Sequence, residues 1–519
     1  MRGYKIRMVT ISSTLLRSTI IVGGLNFLSF SLSFAVNMFS AALFGAGKTM
    51  DIYFVATTIP LYIVTILTGV LSYTFIPVFS EIRLKDNSPW KIVNVFLNLA
   101  TILLCIICIL GVVYARDILR ITAHGFIEED IGCAAVLLQL FFPVIIFGVV
   151  NELIASVYYA HEKFLIPLLN KLITPLITIT FLVFFSQTLN IKSLIFAQLT
   201  GSILQCIILF IGLIKNIHFH YKFTFTIYMP EIKQVFKLML PLILCSLLTK
   251  IVPVFDRFIL SGLPSGSISY VTYANKIYLA ISSIMTSVFS VQIFSLLSNY
   301  AAENKYDEMK ILFVKVTRIL LYIAIPSTFI IVFFGEIFVK LLYERGAFIS
   351  ENTEAVYNCL KLYALSLPVV VVGGIISYFY YALKNTFIIM IVGIIEILLY
   401  IILCFALLKK FDYLTIPIAY TIYFTFSTIC LSLILRKKVK AKGIMLFKEM
   451  AKCLLMSMIA FIPIFLIKKM LPFNIVQTDF LSIVLGLLLY FFLSFIFKIE
   501  EFFYLLNKFN DLKTKFVKI

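Results

Sequence analysis

Asp256 and Arg257 stand side by side in the apolar stretch KIVPVFDRFIL, with Lys250 about two turns before them and Lys276 early in the next apolar run. Asp51 opens another such run, and Glu152, Lys171, Arg318, Lys361 and Glu396 interrupt others. A charge in hydrocarbon costs several kcal/mol unless it faces a partner or a wet cavity, so each of these is a candidate functional residue. Lysine and arginine there suit phosphate oxygens, the first as a point charge and the second as a planar fork. Glu396 and Asp256 suit a coupling cation. Neutral Asn26, Asn37, Asn275, Ser33, Ser40 and Thr65 add uncharged hydrogen-bond donors and acceptors. For Arg318, Lys361 and Lys171 the simpler expectation is snorkelling from a span end.

Other motifs carry less. ALFGAGKTM (42–50) approaches the phosphate-binding pattern G-x-x-x-x-G-K-[ST], but Ala42 replaces the first glycine and apolar runs flank it on both sides. Such a loop needs a strand before it, so Gly45 and Gly47 are expected to make a tight turn at the outer surface instead. Cys105-x-x-Cys108 lies mid-run without a second pair, and the nine cysteines are an odd number set almost wholly in apolar stretches. They read as small apolar residues, not as a disulfide framework or a zinc site. His124, His161, His218 and His220 lie in loops without visible partners, and no metal is assigned.

The elements that position these residues follow from composition. Of 519 residues 62% are apolar and 13% charged, against roughly 45–50% apolar in soluble domains. An ordinary soluble enzyme, a disordered chain and a coiled coil are excluded. The net charge of +19 gathers in short segments between apolar runs, the pattern of cytoplasmic loops and not of a nucleic-acid binder. Apolar runs fall near 18–44, 52–79, 92–115, 131–158, 166–186, 192–214, 238–260, 268–298, 311–334, 355–382, 386–408, 414–435, 451–467 and 479–497. The first is too long for a cleaved signal and is taken as a retained span. The basic segment RKKVKAKG (436–443) and the acidic segment GFIEED (125–130) place both termini in the cytoplasm.

An internal repeat organises the spans. ARDILRITAHGFIEED (115–130) resembles GEIFVKLLYERGAFISEN (335–352), and each is followed by a proline, at 143 or 368, and then by SVYYAHEK or SYFYYALKN. Six spans per copy is an even number, so both copies enter the membrane the same way and the repeat is parallel, an arrangement common in transporters. The expected fold is an all-α polytopic membrane protein of about 14 transmembrane helices, two six-helix lobes in a parallel pseudo-two-fold repeat plus two C-terminal helices. The expected divisions are an N-lobe (1–214), a cytoplasmic linker (215–237), a C-lobe (238–435), a basic loop (436–450), a C-terminal helix pair (451–497) and a cytoplasmic tail (498–519). Gly23-Gly24 and Gly373-Gly374 suit bends or close helix packing, and Pro241, Pro253, Pro326 and Pro368 are expected to break helices locally.

LFGAGKTMDIYFVATTIP with GVLSYTFIPVFSE (43–60, 69–81), DRFILSGLPSGSISYVTYANKIY (256–278) and LLYERGAFISENTEAVYNCLKLYALSLP (341–368) resemble the lipid II flippase (MurJ/MviN) family of the multidrug/oligosaccharidyl-lipid/polysaccharide exporter superfamily. The resemblance covers roughly residues 15–435. It implies a central cavity alternating between inward-open and outward-open states, and a groove beside spans 13 and 14 for a polyprenyl tail. It places Asp51 on the family's acidic position after the GAG turn and Lys276 on a cavity arginine of an Ala-Asp-Arg motif, which here reads Ala274-Asn275-Lys276. The family's Arg-Asp pair in span 1 corresponds to Val36-Asn37 and its double arginine in span 2 to the region of Val64 and Thr65, so cationic positions are lost. The implied activity is translocation of an undecaprenyl-diphosphate-linked glycan, lipid II first and another envelope precursor second, with a drug/cation antiporter as the alternative. The expected substrate site comprises Lys276, Asn275, Arg257, Asp256, Asp51, Asn37 and Lys250, with Glu396 and Asp256 for a coupling ion. No cofactor is expected, and the drive is the membrane potential or a monovalent cation. The expected partners are the lipid-linked diphosphate, membrane lipids and cell-wall synthesis enzymes, with no nucleic acid, and the expected state is a monomer.

Overall fold

A computed structural model describes residues 13–85, 89–226, 228–439, 444–470 and 475–507. Part of the basic loop and the outer ends of both termini lie outside the described residues. Helices account for the architecture, and no strand occurs among the described residues.

The chain packs as two units, Met1–Gly262 and Leu263–Ile519. The first holds α1 (Ser13–Phe44), α2 (Lys48–Lys85), α3 (Trp90–Val113), α4 (Ala115–Thr122), α5 (Glu128–Phe141), α6 (Val144–Ala160), α7 (Leu165–Asn170), α8 (Ile173–Leu189), α9 (Lys192–Ile217), α10 (Pro230–Thr249) and α11 (Val252–Leu260). The second holds α12 (Ser267–Ala302), α13 (Tyr306–Phe334), α14 (Glu336–Tyr343), α15 (Ser350–Ala364), α16 (Leu367–Ala382), α17 (Thr386–Phe411), α18 (Thr415–Val439), α19 (Ile444–Met470) and α20 (Ile475–Ile496). Eleven described segments are long and apolar enough to cross a membrane. One of them, Thr386–Leu435, is two helices parted by a 3-10 turn at Asp412–Leu414, the bent pair α15–α16 passes the same test only when taken together, and α12 spans 36 residues. Among the described residues eleven segments, or twelve with the bent pair taken as one, are therefore candidate spans by length and composition. By sequence repeat the seventh span opens the C-lobe, whereas by packing α10 and α11 lie on α2 within the first unit.

The repeat persists in side-chain detail. Tyr158 at the end of α6 donates to the Leu209 carbonyl (3.2 Å), and Tyr380 at the end of α16 donates to the Leu431 carbonyl (2.9 Å). Both phenols are fully buried, and each reaches a carbonyl 51 residues downstream. A buried hydroxyl needs a partner, so these bonds pin equivalent helix pairs in both lobes. Each copy also carries a short helix, α4 or α14, and a span broken before its second half, at Phe142-Pro143 and at Leu365-Ser366 with a bend of 44°.

Local chemistry explains the connections. Gly45 has φ 68°, as a tight reversal demands, so GAG is a turn between two long helices and no strand precedes it. Lys48 follows the turn and pairs with Asp130 at the start of α5 (2.8 Å). In the RGAF segment Gly346 has φ 57°, and Phe348 drops into a cage of Tyr273 and Tyr343. Pro253 and Pro368 sit in the first turns of α11 and α16, where their missing N–H groups cost nothing. Contrary to expectation, Pro241 and Pro326 are carried inside unbroken α10 and α13. Gly23 and Gly24 also lie in a continuous helix, while a Cβ on Gly373 would come 2.8 Å from Thr428 Oγ1, so close packing accounts for that glycine. His161 caps α6 against Trp90, and burial holds its imidazole below the ordinary pKa, which makes it a neutral wedge at neutral pH.

The last two helices pack on α13. Cys453, Met456, Ala460 and Phe461 of α19 and Tyr490 of α20 form one buried cluster with Leu321, Tyr322, Ile325 and Phe334. Tyr490 donates to the Tyr322 carbonyl (3.0 Å), and Tyr322 donates to Ser494 (2.9 Å).

One contact in the first unit tolerates no growth. A Cβ on Gly125 would lie 2.2 Å from Gly262 Cα, and the Gly125 N–H donates to Ser261 Oγ (3.1 Å). Gly125→Ala is expected to cost about 1–3 kcal/mol, the usual penalty of overpacking. Thermal unfolding of the purified variant in detergent checks this, and an unchanged midpoint contradicts it.

Candidate functional site

Thr58, Tyr62, Thr65, Gly69 and Ser72 recur at alternating intervals of four and three, which places them on one face of α2. The Thr58 and Thr65 hydroxyls bond back to carbonyls of their own helix, at Phe54 and Leu61. Their oxygens keep lone pairs for a second partner. Together they make a polar stripe along one face of the helix.

The seventh span furnishes the stripe with cations. It breaks between α10 and α11 at Lys250-Ile251. Tyr62 donates to the Leu247 carbonyl (2.7 Å), which satisfies one of the carbonyls that a helix end leaves open. Lys250 stands at that end, where the negative pole of α10 favours a cation. Its ammonium reaches the Thr65 carbonyl (3.4 Å) and lies 3.9 Å from where a Cβ on Gly69 would stand. One turn into α11, Arg257 Nε donates to Thr58 Oγ1 (3.3 Å), and its guanidinium lies 5.7 Å from the centre of the Phe54 ring. Both cations are half-buried. At the far end of the stripe Ser72 donates to Glu152 of α6 (2.5 Å).

The structure thus brings Lys250 and Arg257 onto one helix face. Asp256 adjoins Arg257 on α11, Asp51 is buried in the first turn of α2, and Asn37 on α1 donates to the Ser33 carbonyl (3.1 Å). Asn275 and Lys276 belong to α12 of the second unit, where the Lys276 ammonium lies 5.8 Å from the centre of the Tyr273 ring. Tyr343 and Phe348 hold that ring in turn, so the RGAF turn buttresses the lysine. Glu396 lies on α17 of the same unit and accepts from Ser427 of α18 (3.2 Å). Sequence reasoning missed the Ser72–Glu152 pair and the role of Tyr62. The heptad recurrence of hydroxyls at 58, 65 and 72 is the signal that would have found them.

Arg318 is not a snorkelling residue. It pairs with Glu500 (3.2 Å) and Glu501, tying α13 to the segment after α20.

With this geometry in hand, the chain can be set beside known proteins. The family model described as lipid II flippase MurJ matches residues 40–502. A probable lipid II flippase MurJ of Buchnera aphidicola subsp. Baizongia pistaciae is 27% identical over 412 residues, covering 78% of this chain and 80% of that protein. One from Rickettsia prowazekii is 26% identical over 382 residues, covering 72% and 74%. Among solved structures, a lipid II flippase MurJ in an inward closed conformation aligns with a TM-score of 0.79 and 26% identity over 92% of this chain and 98% of that one. A multidrug resistance MATE family transporter of the MOP superfamily, inward-facing, aligns with a TM-score of 0.69 at 14% identity over 81% and 98%, a likeness of fold alone. A family match over most of the chain, joined to eleven or twelve candidate membrane spans among the described residues, makes this a multi-pass membrane transporter and not an enzyme, and the chain belongs to the lipid II flippase MurJ family.

Proposed function

We propose that this protein flips an undecaprenyl-diphosphate-linked glycan precursor, lipid II foremost, from the cytoplasmic to the outer leaflet by alternating access in the bacterial cytoplasmic membrane, with both termini cytoplasmic. The observation that carries the reading is the polar stripe of α2 with Lys250 and Arg257 set against it. Such a substrate cannot cross about 30 Å of hydrocarbon unaided, because its phosphates and hydroxyls would lose their water. Two half-buried cations beside a row of hydroxyls replace that water with ammonium, guanidinium and hydroxyl contacts. Within the first unit Asp256, Asp51 and Asn37 serve the polar portion of the substrate; in the second unit, taken by itself, Lys276 with Asn275 is the cationic group that the family resemblance assigns to substrate. Glu396, with Ser427 beside it, is the group assigned to a monovalent coupling cation, and Asp256 is the second. No nucleotide site is invoked; a charge moving with the potential gains about 2.3 kcal/mol per 100 mV.

The test is translocation of lipid II across proteoliposomes containing the purified protein under an imposed potential, with Lys276→Ala as the control. Potential-dependent flipping that falls at least tenfold in the variant is expected. A folded wild-type protein that flips undecaprenyl-linked oligosaccharides but not lipid II moves the assignment to another envelope glycan.

A further inference from the structure

The segment HFHYKFTFT (218–226) between α9 and α10 is neither helix nor strand, yet its polar and aromatic side chains alternate strictly. In an extended chain such alternation puts the aromatics on one side and the polar groups on the other. Ring contacts show that it does so here. Phe219 and Tyr221 both meet Phe210 of α9, at 6.0 and 6.2 Å between ring centres, and Phe223 meets Phe225 edge-on at 4.7 Å. His218, at φ 57°, ends α9 and sends the buried Phe219 against Trp90 of α3 (5.5 Å). Two buried asparagines one turn apart on α3 then hold the backbone: Asn94 donates to the His220 carbonyl and Asn98 to the Thr224 carbonyl, both at 3.0 Å, while the Tyr221 hydroxyl donates to Asn98 (2.7 Å).

Tyr221 and Asn98 border a groove of about 370 Å³ between α3, α6 and α9, walled by Leu97, Thr101, Val150, Ile207, Phe210 and Ile211. Its size falls within the range of small-ligand sites, about 300–1,000 Å³. The amide of Asn98 is engaged at both ends, so what the groove offers a guest is chiefly apolar contact. Ile207 and Ile211 are exposed on α9, which is long and apolar enough to span the membrane, so the groove opens to the bilayer. At the linker end the charge has one sign. Between Glu162 and Glu231 the sequence holds no aspartate or glutamate, but five lysines. Lys215 in the last turn of α9 and Lys222 beside Tyr221 are exposed, as are His218 and His220 on the polar side of the segment. Lys163 donates to the Asn216 carbonyl at the end of α9 (2.6 Å).

We propose that this groove and the segment beside it bind one anionic phospholipid of the bilayer, an acyl chain lying against Phe210 and Ile211 and the phosphate met by the polar side of the segment, Lys222 foremost. The chemistry selects this occupant. An apolar slot entered from the membrane, with a purely basic rim at one end, complements a molecule with a hydrocarbon tail and a negative head. The exposed Phe223 and Phe225 suit the headgroup layer, where aromatic rings settle, and Lys215 adds to the positive field there. In the orientation proposed above, this is the cytoplasmic leaflet. The site makes no use of the α2 stripe, so it stands or falls apart from the transport reading.

Trp90 is the one tryptophan of the chain, so Trp90→Phe with Phe210→Trp moves the sole indole onto the groove wall. The full-length reporter is placed in phosphatidylcholine bilayers and titrated with phosphatidylglycerol brominated on its acyl chains, which quenches on contact, or with equally brominated phosphatidylcholine. Half-quenching by the phosphatidylglycerol is expected at a mole fraction at least tenfold lower, since one lysine near an anionic headgroup contributes about fivefold. Lys222→Gln is expected to narrow that ratio about fivefold, and Lys215→Gln/Lys222→Gln to abolish it. Thr101→Phe, which fills the groove, is expected to weaken quenching by both lipids. Equal quenching by the two lipids overturns the proposal, as does a preference that the lysine variants leave unmoved. Relief of quenching by undecaprenyl phosphate at a lower mole fraction than by unbrominated phosphatidylglycerol gives the groove to a polyprenyl chain and overturns it too. Should the reporter fail to fold, the wild-type protein is equilibrated with an equimolar mixture of the two phospholipids and purified; retention of phosphatidylglycerol no greater than that of phosphatidylcholine overturns the proposal equally.

Discussion

Lys250→Ala is expected to lower flipping at least tenfold, and Thr65→Arg added to the same chain is expected to recover most of the loss. The ammonium of Lys250 reaches the Thr65 carbonyl across the helix interface, so cation and residue 65 occupy one station although they belong to different helices. The resemblance to the flippase family puts an arginine near residue 65, and here that charge arrives from the break between α10 and α11. A diphosphate responds to where charge stands and not to which helix carries it, so returning the cation to α2 should compensate. Tenfold corresponds to about 1.4 kcal/mol, within the range for one charge-assisted hydrogen bond to a phosphate. Lys250→Arg should retain activity, since the same charge reaches the same carbonyl. The measurement is initial rate of lipid-linked diphosphate translocation at low and high salt. Undiminished transport in Lys250→Ala excludes the station, and a loss that Thr65→Arg does not repair means that Lys250 acts by supporting the helix break.

The fold was legible because its signals are long and redundant. Span length and apolarity are set by bilayer thickness, and the repeat recurs in motif, in proline placement and in the paired bonds of Tyr158 and Tyr380. The site was legible only in part. An intramembrane lysine or glutamate announces itself one residue at a time, so Lys250, Arg257 and Glu396 could be singled out, but what each one touches depends on which helix faces which. That Arg257 meets Thr58, 199 residues away, is information carried by packing and not by spacing. The proline expectations failed at Pro241 and Pro326 for a related reason. In a bundle, neighbouring helices and local adjustment compensate the lost backbone bond, so a proline permits a break without compelling one. Arg318 shows the converse error, since a long side chain near a span end looks free to snorkel until the segment after α20 is seen to bring Glu500 and Glu501 to it.

That last pairing sets up the largest effect on stability. Glu501 is buried and Arg318 is only slightly exposed, whereas Glu500 stands in the open. The Arg318–Glu500 contact is therefore worth little, and the Arg318–Glu501 contact is the one that matters. Arg318→Leu leaves the Glu501 carboxylate buried without its cation, a loss of about 3–5 kcal/mol by analogy with broken buried pairs. The double variant Arg318→Leu/Glu501→Leu removes both charges and should recover most of that, since two apolar side chains fit a site already lined by neighbours of the α13–α19–α20 cluster. Glu500→Gln alone should change little. Thermal unfolding of the purified variants in one detergent orders the three cases, and limited proteolysis near residue 500 reports whether the end of α20 has come loose. The pair rather than the charge stabilises this corner only if the double variant outlasts Arg318→Leu. Equal stability of the two would mean that water reaches Glu501 once the arginine has gone, and that the C-terminal helices are held by their apolar contacts with Leu321, Tyr322 and Ile325 alone.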